Sequence, residues 1–406
     1  MIHVCFGLHD KLGTYSKFTG TTMCSIFENT TAAVTVHILH DNTLTTDNRE
    51  KFIYLAGRHG QAVKFYNVEE LCADKLAEII NLTPALETSR LSVGAMYRLL
   101  IPKILSEDID RIIYLDSDII VNLDIMELWQ FNLGEKILAG VPEIFAYGNA
   151  DKVRRMFQMC AQGFVTCEDY FNSGVFLINL NFLRAAEEKI LDGLKFINQN
   201  PQCAEFLDQD VLNYCFATKA LKLPTKFDRY VHVIRQEKET PAKKIYHYSG
   251  GIYGVGVGLD MRDPFNRLWL KYFSKTPWFD EDMFVRLCEN FIQAQAKMKK
   301  SAMKISATTM EKARVFVSIE EKLDALIENF SVREDEEVLV MNFGTPLQNL
   351  IDVMISQRGK KFFFLLLPSF PFKVLEAAGL VRGEDFVDGL EFMPQTFNSY
   401  PLVAAM

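Results

Sequence analysis

The run Ile112-Ile113-Tyr114-Leu115-Asp116-Ser117-Asp118-Ile119-Ile120-Val121 constrains this chain more than any other stretch. Apolar side chains of the kind that fill a core flank two carboxylates. Burying such charges is costly unless they pair with a cation or bind a metal. At i and i+2 of an extended chain, both side chains point to the same face. Two oxygen donors on one side suit a hard divalent cation, magnesium or manganese, with positions left for phosphate oxygens and water. The other reading is a strand-ending turn with two solvated aspartates; the apolar residues on both sides favour the metal.

The segments before this run set its place in the fold. Ile2–Gly7, Val34–Leu39, Ala62–Phe65 and Arg111–Leu115 read as strands. Tyr15–Glu28, a segment capped by Thr45 or Thr46 and ending near Arg58, and Gly94–Leu105 read as helices between them. Such alternation predicts an α/β fold: a parallel or mostly parallel sheet with helices on both faces. Ligands in such sheets bind beyond the carboxyl ends of the strands. A strand over Gly174–Leu180 and helices near Leu183–Asn198 and Asp210–Ala217 follow. The expected organisation is a domain over 1–279, a polar helical linker over 280–313 and a smaller C-terminal α/β domain over 314–406. In that last domain, Val338–Asn342 and Lys361–Leu367 are predicted strands, and Leu347–Gln357 and Phe372–Ala378 predicted helices.

Composition narrows the partners. A net charge of −8 and a pI near 5.5 argue against a protein that grips nucleic acid along a basic face. A bound metal would still let an acidic chain hold an anionic substrate. The eight cysteines form no C-x-x-C pair and several sit in apolar runs, as buried reduced thiols do. No signal peptide is evident, and Phe362–Leu367 is too short to span a membrane. A cytoplasmic protein is expected. The basic run Lys297, Lys299, Lys300 and Lys304 reads as a solvated helix face, with peripheral contact at the inner face of a membrane as its alternative.

Three further segments carry polar chemistry. Ile245-Tyr246-His247-Tyr248-Ser249-Gly250-Gly251 ends an apolar run on a histidine and glycines; it offers a metal ligand next to backbone able to approach phosphate, or simply a structural imidazole. Phe206-Leu207-Asp208-Gln209-Asp210 precedes a helix, and Asp208 or Asp210 alone reads as an N-cap. Phe171-Asn172-Ser173-Gly174-Val175 is a polar turn feeding a strand.

In this order, and with Asp10-x-x-Gly13-x-Tyr15 and Met96-Tyr97-Arg98-Leu99 ahead of them, these segments resemble glycosyltransferase family 8, the retaining transferases that include bacterial lipopolysaccharide galactosyl- and glucosyltransferases. The resemblance runs from about Ile2 to Trp278. It implies the GT-A fold, a Rossmann-like, nucleotide-sugar-binding mixed sheet with helices on both faces, and transfer of a hexose, glucose or galactose, from a UDP-sugar to a hydroxyl of a saccharide, glycolipid or glycoprotein acceptor. It implies that Asp116, Asp118 and His247 ligate manganese or magnesium. Asp10 and Tyr15 would contact the uridine, Arg98, Asn172 and Asp208 the donor sugar, and Ser117 and Gly250 the rest of the donor. Gln209 would lie near the anomeric carbon, with Asp208 beside it. Because an amide is a poor nucleophile, front-face attack by the acceptor hydroxyl is expected rather than a covalent sugar–enzyme intermediate.

One departure stands out. Many members carry a lysine after the histidine-glycine element, and here Tyr253 stands in its place, with Arg262 the nearest downstream basic candidate. A non-catalytic nucleotide-sugar-binding protein is therefore an alternative. A metal-dependent phosphohydrolase is another, but it expects its aspartate pair on an early strand, with Thr or Val rather than Ile119 after the second acid.

Overall fold

In a computed structural model of the chain, the described residues are 1–248 except 14, 88, 90, 149 and 238, 263–285 except 283, and 312–389 except 320–335, 342–345 and 368–369. They divide into two units. One holds the residues up to 248 and those from 263 to 280, the other the residues from 281 onward.

The first unit is built on seven strands: β1 (Ile2–Leu8), β2 (Val34–His40), β3 (Ala62–Asn67), β4 (Arg111–Leu115), β6 (Leu138–Pro142), β7 (Phe171–Asn179) and β8 (Ala220–Lys222), β5 being reserved for Ile119–Val121. Their order is β3-β2-β1-β4-β7-β6-β8. β1 to β4 run parallel, whereas β7 runs antiparallel to both β4 and β6. Residues on both faces of the central strands are buried, as expected where helices cover both sides. The chain moves outward from β1 to β3, then returns to place β4 on the other side of β1. The carboxyl ends of β1 and β4 therefore flank a topological switch point, where open α/β sheets bind their ligands. This is the α/β class that the alternation predicts.

Helix α1 (Tyr15–Asn29) lies under that point and is buried along nearly its whole length. Its small residues allow close approach: a Cβ on Gly20 would lie 2.7 Å from Cε3 of Trp278. Helix α2 (Thr46–Arg58) begins where expected, with Thr45 accepting a hydrogen bond from the Asn48 amide. A smaller sheet of order β5-β10-β9 joins β5 (Ile119–Val121), β10 (Ile245–His247) and β9 (Arg229–Tyr230).

Several boundaries differ from the sequence reading. The helix predicted over Gly94–Leu105 is three short pieces, with a 3-10 turn at Tyr97–Leu100. Pro102 has no amide to donate into a continuous helix, and the turn it permits carries Arg98. The helix predicted over Leu183–Asn198 is two, Leu180–Ala185 and Glu188–Gln199. Asn179, at the end of β7, caps the first by accepting from the Phe182 amide. β7 starts at Phe171, paired with Pro142, so Asn172, Ser173 and Gly174 are strand residues rather than a turn.

The second unit has four parallel strands in the order β12-β11-β13-β14: β11 (Ala313–Ser318), β12 (Glu337–Val340), β13 (Lys361–Leu366) and β14 (Phe386–Asp388). Helices Leu347–Ser356 and Lys373–Ala377 close a core of Val315, Val317, Phe363, Leu365, Met354 and Phe386. The basic run at 297–304, and all but a few residues of the expected linker, lie outside the described residues.

Candidate active site

β4 delivers Asp116 to the switch point, and the Asp116 amide extends the sheet by donating to Gly174 O at 2.8 Å. The turn that follows is buried, so its backbone groups need partners. α1 provides them. The Thr22 hydroxyl lies 2.9 Å from Ser117 O and 2.7 Å from Ile119 O, Thr19 meets the Ser117 hydroxyl at 2.8 Å, and Ser25 accepts from the Val121 amide. With Ser117 held inward, Asp116 and Asp118 turn the other way. β10 then pairs antiparallel with β5, setting His247 opposite Ile119, and Tyr248 N donates to Asp118 O at 2.9 Å.

One oxygen of Asp116, one of Asp118 and one ring nitrogen of His247 all lie within 4.8 Å of one another. His247 Nε2 is 3.4 Å from Asp118 Oδ1, and its Nδ1 is 3.1 Å from Asp228 Oδ1. Burial disfavours the imidazolium, but these two carboxylates hold the His247 pKa well above the usual histidine value. Burial also opposes ionisation of Asp118, and the facing His247 more than offsets it, so that carboxyl is held below its ordinary value. Gly174 forms the floor. A Cβ there would collide with His247 Cε1 and lie 2.9 Å from Asp116 Oδ2. A glycine-floored concavity ringed by two carboxylates and an imidazole fits a divalent ion in size and in donor chemistry.

Beside it lies a buried polar wall. Arg98, 6% exposed, reaches Asp116 Oδ1 at 2.7 Å and Asp208 Oδ2 at 3.1 Å, donates to Ser173, and packs over the Tyr114 ring. Asp208, Gln209 and Asp210 open the helix Asp208–Phe216. The N-cap position belongs to Leu207, not to either aspartate. Leu207 has φ of +44°, a strained conformation for a branched side chain. Asp210 accepts from the Phe206 amide and the Tyr170 hydroxyl, which fixes the turn. Gln209 Oε1 accepts from the Ser173 amide at 2.9 Å and from Asn172 at 3.1 Å. Burial pushes Asp208 up to about 6 and Asp210 up to about 7.

Asp10 is buried, yet its carboxylate is engaged by the Tyr15 amide, the Ser16 hydroxyl and Asn48, so it caps α1. Tyr15 is 37% exposed at the rim. The structure thus brings Asp116, Ser117, Asp118, His247, Arg98, Asn172, Asp208 and Gln209 to one place, with Asp10 at the end of neighbouring β1. Gly250, Tyr253 and Arg262 lie outside the described residues.

Two carboxylates were missed by sequence reasoning. Glu143 follows β6 and accepts from Asn172, Gln209 and the Tyr230 hydroxyl on Oε1, while Oε2 has no partner among the described residues. Burial pushes it up to about 7. The signal was available: a carboxylate directly after the buried strand Leu138–Pro142 repeats the pattern that marks Asp116. Asp228 had no such signal, because β9 is two residues long.

Comparison with known proteins decides the family. Residues 9–252, more than half of the chain, match the model described as Glycosyl transferase family 8. The chain belongs to glycosyltransferase family 8. General stress protein A of Bacillus subtilis is 24% identical over 286 residues, covering 65% of this chain and 91% of that protein. A lipopolysaccharide 1,3-galactosyltransferase of Salmonella typhimurium is 24% identical over 270 residues, covering 64% and 74%. The structure of the galactosyltransferase LgtC, solved with donor and acceptor sugar analogues, superposes with a TM-score of 0.55 at 18% identity, covering 70% of this chain and all of that one. That likeness establishes the family 8 fold for the first unit, GT-A as expected. Among the described residues no helix is long and apolar enough to cross a membrane.

Proposed function

We propose that this family 8 member is a retaining hexosyltransferase that moves glucose or galactose from a UDP-sugar to a hydroxyl of a saccharide, glycolipid or glycoprotein acceptor. The observation that carries the reading is the trio Asp116, Asp118 and His247, gathered within 4.8 Å at the switch point, with a buried polar wall alongside. These three residues would hold a manganese or magnesium ion, which supplies Lewis-acid stabilisation of the departing diphosphate.

The remaining work falls to the chain itself. Arg98 bridges Asp116 and Asp208 and supplies the cation that offsets burial of the Asp208 carboxyl. Asn172 and Gln209, each locked by several hydrogen bonds, form a preorganised amide surface for the donor-sugar hydroxyls. Gln209 offers no competent nucleophile, so the acceptor hydroxyl attacks from the face the diphosphate leaves. Glu143, with Oε2 unpartnered among the described residues and its pKa pushed up to about 7 by burial, is placed to orient that hydroxyl and take its proton. Phe145, 47% exposed two residues further on, offers an aromatic face for the acceptor ring. Ser117, Asp10 and Tyr15 frame the nucleotide end. No nucleic acid takes part. We place the protein in the cytoplasm, in peripheral contact with the inner face of the membrane where the acceptor is a glycolipid.

A UDP-release assay over a panel of UDP-sugars, with and without manganese, tests the reading. One donor should turn over with manganese, and Asp118→Asn should lose most of that activity while remaining folded. Wild-type turnover in Asp118→Asn would end the proposal. Manganese-dependent UDP binding with no turnover of any donor would favour the non-catalytic binding protein that Tyr253 leaves open.

A further inference from the structure

Asp228 is a buried carboxylate without an evident reason to be ionised in a protein core. It ends the 3-10 turn Thr225–Phe227, just before β9, and is 4% exposed. Its sequence neighbour Arg229 does not neutralise it: that guanidinium pairs with Glu237 and Glu239. Among the described residues, the side-chain partner of Asp228 is His247, at 3.1 Å from Oδ1 to Nδ1, and Oδ2 has none. A carboxylate taken out of water at such cost needs a task that a neutral side chain could not perform.

The geometry around His247 supplies one. β9 pairs parallel with β10, setting Tyr230 opposite His247. The two rings lie 5.1 Å apart at 34°. Gly174 closes on Cε1. With one face toward Tyr230, its edge toward Gly174 and Nδ1 on Asp228, the imidazole is held with Nε2 toward Asp118. A neutral imidazole carries its proton on one nitrogen and its lone pair on the other. A carboxylate facing Nδ1 can only accept, so where a cation displaces the proton on the Nε2 side, which faces Asp118, the remaining proton would stay on Nδ1 and leave the Nε2 lone pair free to ligate.

We infer that Asp228 is a positioning residue that fixes the tautomer and orientation of His247 so that Nε2 ligates the divalent cation shared with Asp116 and Asp118. This rests on the metal-centre reading of those residues. Asparagine at 228 preserves shape but can donate to Nδ1, which admits the Nε2–H form that cannot ligate. Carboxylates behind metal-bound histidines typically affect metal affinity by about ten- to a hundredfold.

The test is a manganese titration of the full chain, without donor, read by isothermal calorimetry and by the nitrogen modulation of the bound ion in pulsed electron paramagnetic resonance. Wild type should show a directly ligated nitrogen, and His247→Ala should lose it. Asp228→Asn should bind manganese at least tenfold more weakly, with the nitrogen signal reduced. Asp228→Ser, which leaves room for a water, runs beside it, and circular dichroism confirms that each variant is folded. A purely structural role for Asp228 would lower the melting temperature while leaving manganese affinity within twofold of wild type and the nitrogen signal intact; that result overturns the inference. If Asp118→Asn and His247→Ala also bind like wild type, the metal centre itself falls, and this role falls with it.

Discussion

Gly174→Ala adds one methyl group at the point where Asp116, Asp118 and His247, the proposed metal ligands, converge. Gly174 does not need a left-handed backbone, so alanine brings no torsional strain and the effect is steric. The new Cβ would stand 2.9 Å from Asp116 Oδ2 and from Asn172 Oδ1, and nearer still to His247 Cε1. Ordinary carbon contacts lie near 3.5–4.0 Å, so the imidazole must retreat by about 1 Å. It cannot go far, because Tyr230 lies against one face and Asp228 holds Nδ1. Metal–ligand distances tolerate only about 0.2 Å, and a misplacement of about 1 Å costs on the order of a hundredfold in rate. Overpacking of this kind costs about 1–3 kcal/mol of stability. We therefore expect Gly174→Ala to fold, with a urea midpoint lowered to match. Its manganese affinity and UDP release should fall by a hundredfold or more. The assay is manganese calorimetry beside UDP release, on protein whose folding is checked by circular dichroism. Wild-type manganese affinity in this variant would mean that Asp116 and His247 do not act together around Gly174, and the site would need another explanation.

Other outcomes follow from the same packing. Arg98→Ala leaves Asp116 and Asp208 without their shared cation; urea unfolding at pH 7 should show a loss of about 3 kcal/mol, while Arg98→Lys recovers part of it. Glu143 has a folded-state pKa of about 7 against an ordinary 4.5, so the folded protein retains a proton the unfolded chain has lost. Stability from this group is complete below pH 4.5 and lost as pH rises through 7, by on the order of 3 kcal/mol. Glu143→Gln should therefore melt higher than wild type at pH 8 but not at pH 4.5, by scanning calorimetry, and should lose transfer activity. Gly20→Ala should lower stability by about 1–3 kcal/mol in chemical unfolding, because the indole of Trp278 occupies the space and its Nε1–H is fixed on Asn48.

The parts of this protein legible in sequence are those whose physics is local. β1, β2 and β4 were visible because buried parallel strands must be apolar on both faces, and α2 because Thr45 supplies its own cap. Asp116 and Asp118 stood out since two charges in a greasy run demand a partner whatever surrounds them. Helix continuity was harder to read: Pro102 breaks Gly94–Leu105 into the turn that aims Arg98, which periodicity alone does not reveal.

The sequence alone therefore determined an α/β sheet with a carboxylate pair at the tip of a central strand, and an order of motifs that matched a family. Only the tertiary structure decided which groups meet that pair. Pairing of β5 with β10 brings His247 across about 130 residues of chain to Asp118, and pairing of β9 with β10 brings Asp228 and Tyr230 behind it. Such contacts depend on strand register and on the exclusion of a Cβ at Gly174. Those are properties of distances between segments, and residue spacing along the chain does not encode them.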